Sequence, residues 1–121
     1  MKLIDCYLRF LKLLRLYNYN LNMSDKISFN WFMVFRKRTQ AQKLWWHLKM
    51  FKKITSADAE DIYGFRHPPS IIRDIRKKLK QENSQYWIEN ITKTGVDRWG
   101  NACKYDEYTL NLNFVSINEE L

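Results

Sequence analysis

The chain has 121 residues with 45% hydrophobic content, enough for one small domain with a real core and too little for two. Its 21 Lys and Arg against 13 Asp and Glu give a net charge of +8, which fits a polyanionic partner such as nucleic acid or an anionic membrane surface. Cys6 and Cys103 lie far apart, with no second Cys or His at ligand spacing. This argues against a zinc site and a disulfide framework, and points to reduced thiols in the cytoplasm.

The opening residues 1–22 place Lys2, Asp5, Arg9 and Lys12 on one stripe, with Leu3, Ile4, Leu8, Leu11 and Leu14 around the rest, which predicts an amphipathic helix. Charges every three or four residues keep it from spanning a bilayer, and it has no small-residue cleavage site of a signal peptide. Three placements are open: packed on the domain or on a second copy, lying on a membrane interface, or an extension without fixed partners. Met23-Ser24-Asp25 resembles a translation start, which bears on whether that helix belongs to the working protein.

Ile27 to Phe35 is dense in aromatics and ends in Arg36, Lys37 and Arg38. It reads as a short strand or an aromatic clasp, and its basic tail as either a phosphate contact or a solvated charge run. Thr39 or Gln40 then starts a helix that runs through Lys53. Ala41, Leu44, Trp45, Leu48 and Phe51 make its core stripe; Trp46 and Met50 form a second apolar line, so the helix should be covered on two sides. His47 has no partner at i±4 for a metal or a nucleophile and is expected to pack rather than catalyse.

From Ile54 to Lys80 the chain spells two short helices and a tight turn. Thr55 with Asp58 makes a capping-box start, with Ser56 as an alternative cap. Gly64 stands where a left-handed residue ends the first helix, and Pro69 suits the first position of the second. That second helix carries two stripes. Ile71, Ile72, Ile75 and Leu79 recur at helical spacing as a core face, while Arg73, Arg76, Lys77 and Lys80 form a cationic line beside it; Asp74 and Lys78 sit at i, i+4 as a surface pair. After a QENS break, Tyr86 to Thr94 reads as a strand with Trp87 and Ile91 among its inward positions. A loop from Gly95 to Asn101 follows, then a second strand from Cys103 to Phe114 in which Tyr108, Leu110, Leu112 and Phe114 alternate with polar residues.

The stretches AQKLWWHLKMFKK, ITSADAEDIYGF, IIRDIRKKLK and TGVDRWGNACKYDEYTL, covering about residues 40–112, resemble a winged helix-turn-helix domain of the kind found in small phage DNA-binding proteins. The expected fold is α+β: three helices and a C-terminal β-hairpin wing over residues 39–121, preceded by an N-terminal amphipathic helix and an aromatic, basic arm over 1–38. The resemblance departs at Lys80 to Ser84, where the family usually has an early Gly, so a longer connection to the wing is expected.

By that resemblance residues 69–80 form the recognition helix, with Ser70, Arg73, Arg76, Lys77 and Lys80 nearest bases or phosphates. Thr55 and Ser56 could offer hydroxyls and amides to phosphate; Arg98, Asn101 and Lys104 could reach an adjacent groove from the wing; Arg36, Lys37 and Arg38 extend the basic surface. Against this, Asp58, Glu60 and Asp61 would repel phosphate. The resemblance implies non-catalytic binding of double-stranded DNA, without metal or cofactor, by a regulator or architectural factor of a phage or mobile element. A homodimer through the N-terminal helix is a further expectation; a membrane partner is the weaker one. The alternative is a protein-interaction module anchored by Trp31, Phe32, Phe35 and Trp46, and charge with aromatics also leaves RNA open. No Ser/His/Asp, paired-carboxylate or glycine-rich phosphate-loop constellation supports an enzyme.

Overall fold

A computed structural model describes residues 2–17, 19 and 27–112. Its elements in chain order are α1 (Leu3–Leu16), α2 (Phe29–Phe35), α3 (Gln40–Phe51), β1 (Lys53–Thr55), α4 (Ser56–Tyr63), α5 (Pro68–Gln81), β2 (Tyr86–Val96) and β3 (Ala102–Leu112). The protein is therefore α+β, with five helices and a three-stranded antiparallel sheet in the order β1-β3-β2 among the described residues. Among the described residues no helix is long and apolar enough to cross a membrane.

Local signals place most boundaries. Thr39 Oγ1 accepts from Gln42 N–H while Gln42 returns a bond to Thr39 N–H, and Thr55 and Asp58 do the same at α4. Gly64 ends α4 at φ +73°, a conformation that costs glycine little. α5 begins one residue earlier than the Pro69 signal suggests, with Pro68 and Pro69 filling its first two positions, where missing N–H groups leave nothing unpaired.

Two expectations about the elements are corrected, and a third, the phase of β2, follows with the core. The aromatic run before Arg36 is a helix rather than a strand or clasp. Ser28 caps it by accepting from Trp31 N–H at 3.1 Å, and Ile27 before the cap joins Phe32 in one cluster, as in a hydrophobic staple. The second correction is β1. α3 stops at Phe51 because Lys52 turns left-handed (φ +73°), and the next three residues pair with β3 in the register Lys53↔Thr109, Ile54↔Tyr108, Thr55↔Glu107.

The core has two parts. In the first, Leu44 and Leu48 of α3, Ala59 of α4 and Ile71, Ile72, Ile75 and Leu79 of α5 close over Ile54, Ile88, Tyr108 and Leu110 of the sheet. The second joins Phe10 and Leu14 of α1, Phe32 and Phe35 of α2 and Ile62 of α4, with Trp46 of α3 packed against it. α3 is thus covered on two sides, as its double apolar line predicts, and α1 packs on the rest of the chain. In β2 the inward residue is Ile88, paired with Leu110; Trp87 and Ile91 are exposed, the reverse of the expected phase. Phe114 lies outside the described residues.

Candidate nucleic-acid interface

α5 is held from one side only. Its isoleucines and Leu79 are buried, so the opposite face carries Ser70, Arg73, Lys77 and Lys80, all exposed. Among the described residues the one ion pair is Lys93–Glu107 on the hairpin, at 3.2 Å, so Arg73, Lys77 and Lys80 form no ion pair there, although Asp74 stands exposed on the same helix. Asp74 and Lys78, spaced as a surface pair, form no such bridge. They flank Trp45 in a groove between α3 and α5.

Arg76 has a different part. Its Nε and Nη2 both donate to the Ile88 carbonyl, at 3.2 and 2.8 Å, tying α5 to β2. A guanidinium fork spent on backbone is a poor reader of bases, so Arg76 positions the hairpin while Arg73 and Lys77 remain available. Arg76→Ala should lower stability by about 1 kcal/mol in urea unfolding, with Arg76→Lys recovering only part, because an ammonium cannot span the carbonyl in the same way.

The N-terminus of α4 is also partly committed. The Thr55 hydroxyl accepts from Asp58 N–H. Thr55 is therefore committed as the cap of α4 rather than presenting a free hydroxyl to phosphate. The neighbouring acids are occupied as well. Tyr19 donates to Asp58 Oδ2 at 2.6 Å and Tyr17 donates to Asp61 Oδ2; Asp58 is buried, while Glu60 and Asp61 are both exposed. Hydrogen bonding to Asp61 pushes the Tyr17 phenol up to about 12, and burial, followed by the bond to Asp58, pushes Tyr19 higher still. Both phenols therefore stay protonated donors at neutral pH, and of the three acids expected to repel phosphate Asp58 is the one turned inward, while Glu60 and Asp61 still face solvent.

The remaining candidates fall in two other places. Arg36, Lys37 and Arg38 are exposed at the junction of α2 and α3; Arg36 lines a cleft with Arg9, Lys43, Glu60 and Asp61, and Arg38 another with Trp31, Trp45 and Trp46. Burial lowers the Lys43 pKa. Arg98, Asn101 and Lys104 are exposed at the far end of the hairpin. The structure therefore groups Ser70, Arg73, Lys77 and Lys80 on one face and keeps the other two sets on separate elements.

Comparison with protein-family models, curated proteins and solved structures returns no match. Sequence reasoning also passed over two residues. Arg66 stands exposed in the turn that feeds α5, and Trp99 is 82% exposed at the hairpin tip. Asp97 followed by Gly100 three residues later is a type I turn signature, and it marks Trp99 as a residue of the turn itself. His47, by contrast, is fully buried, with Nδ1 2.6 Å from the Tyr63 hydroxyl, and takes no part in any of these surfaces. Among the described residues no three His, Cys, Asp or Glu side chains gather as a metal site.

Proposed function

We propose that the protein is a non-catalytic duplex-DNA-binding protein of winged helix-turn-helix type, with α5 as recognition helix, acting as a regulator or architectural factor. The observation that carries this reading is the outward face of α5, where Ser70, Arg73, Lys77 and Lys80 stand exposed and, among the described residues, form no ion pair, on a helix locked in place by its other side. The topology supports it. A strand between the first two core helices, a helix pair joined by a tight turn and a following hairpin, in sheet order β1-β3-β2, are the parts a winged helix uses. The extended α5 runs as far as Gln81, which accounts for the long connection after Lys80.

The alternative protein-interaction reading rested on four aromatic anchors. Phe32 and Phe35 are buried and Trp31 and Trp46 pack against them, so that patch is largely used by the fold. Leu3, Ile4, Leu8 and Leu16 on the outer side of α1 are exposed, and support a second copy or another protein at that helix. Electrophoretic shift separates the readings. The DNA reading predicts retardation of labelled duplex at about 50 mM salt, where four to six phosphate contacts are screened least; no shift under those conditions contradicts it.

A further inference from the structure

The outer half of the β2–β3 hairpin is built as a free arm. The third strand stops at Thr55↔Glu107, and among the described residues the two strands continue alone from Thr92↔Asp106 to Val96↔Ala102 for five residue pairs, none of them buried. At about 3.3 Å per residue this projects the tip roughly 17 Å beyond the core. An isolated two-stranded ribbon is marginal in water, so the features that stiffen this one are informative. Glu107 pairs with Lys93, Thr92 Oγ1 donates to Asp106, and the Tyr105 ring lies across Gly95 so closely that a Cβ there would sit 3.1 Å from it.

The tip is fixed in the same way. Asp97 Oδ1 accepts from both Trp99 N–H and Asn101 N–H at 2.9 Å, Gly100 N–H donates to the Asp97 carbonyl, and Gly100 takes the left-handed conformation at φ +84°. This turn presents one indole, 82% exposed, from a backbone already ordered, so little freedom is lost when the ring meets a ligand.

Charge indicates what that ligand is. The acids of the arm are held in place within it, Asp97 by the turn amides, Asp106 by Thr92 and Glu107 by its ion pair with Lys93, whereas among the described residues Arg98 and Lys104 make no ion pair. An exposed π-face on an arm that also carries cations free of ion pairs is a combination that stacks a base and holds its phosphates. A protein hot spot would need an apolar surround, and among the described residues of the tip Val96 is the one other exposed large hydrophobic.

We propose that the hairpin tip is a base-stacking site, in which Trp99 lies against an unpaired or unstacked base while Arg98 and Lys104 hold the adjoining phosphates. This rests on the DNA-binding reading and adds a preference for duplex that is locally open. The test compares a matched duplex with the same duplex carrying a short unpaired bubble that contains 2-aminopurine, for the wild-type chain, Trp99→Ala and Trp99→Phe. The wild type should bind the bubble roughly tenfold tighter than the matched duplex and change the 2-aminopurine emission. Trp99→Ala should lose that preference and the emission change while binding matched duplex as before, and Trp99→Phe should keep part of both. If wild type binds both duplexes equally, if Trp99→Ala retains the preference, or if it weakens both duplexes alike, base stacking is overturned and groove binding by α5 stands. Binding to neither duplex overturns both.

Discussion

A chain beginning at Met23 should lose most of its stability, with melting lowered by roughly 20 °C or more and the hydrophobic dye ANS bound at neutral pH. The cause is the second core. Phe10 and Leu14 supply its α1 side, and removing them exposes Phe32, Phe35 and Ile62 while Trp46 loses part of its packing. Deleting one buried Phe or Leu side chain costs about 2–5 kcal/mol, so losing both approaches the whole stability of a typical domain. The truncation also removes Tyr17 and Tyr19, leaving Asp61 and the buried Asp58 without their phenol donors. Leu14→Ala in the full chain is the milder version, with an expected loss of about 3 kcal/mol. Thermal melting of the truncated chain within a few degrees of the full one would show that α1 is an appendage.

Acid should weaken the fold before most carboxylates titrate. His47 is fully enclosed, in edge contact with Tyr19 and Tyr63 and tilted against Phe51, and among the described residues its Nε2 has no hydrogen-bond partner. Burial pushes its pKa down to about 3, with the Lys53 backbone opposing. The folded value lies below the unfolded one of about 6.5, so the unfolded chain takes up the extra proton: the stabilisation is complete above about pH 6.5 and is lost as pH falls toward 3. For these values the loss is about 2 kcal/mol between pH 8 and pH 5. Urea unfolding at the two pH values measures it, and His47→Gln, which cannot charge, should flatten the difference. An unchanged pH slope in that variant would place the acid sensitivity elsewhere.

Where a feature depends on neighbours in sequence, it could be read directly. The Thr55–Asp58 capping box, the Gly64 stop and the isoleucine stripe of α5 are local, and each stands where residue chemistry demands it. Features set by distant pairing could not. Lys53 to Thr55 is too short to announce a strand, and its pairing with residues 107–109 exists only once α3 turns back at Lys52. The phase of β2 hinges on where the hairpin meets α5, so Ile88 rather than Trp87 points inward. In the candidate site the helical line was legible to within one residue. Arg76 left it because the Ile88 carbonyl lies within reach, and neither that bond nor the tyrosines that cover Asp58 and Asp61 have a signature in spacing.

The central claim is tested most directly by the salt dependence of duplex affinity for the wild type, the double variant Arg73→Ala/Lys77→Ala, and Lys53→Ala as a control for a cation on another exposed element. The wild type should give a slope of log affinity against log salt of about −4 to −5. The double variant should be shallower by about 2 and bind at least tenfold more weakly, while Lys53→Ala stays near wild type. A slope near zero, or a double variant that binds like Lys53→Ala, would contradict the assignment of α5 as the DNA-facing helix.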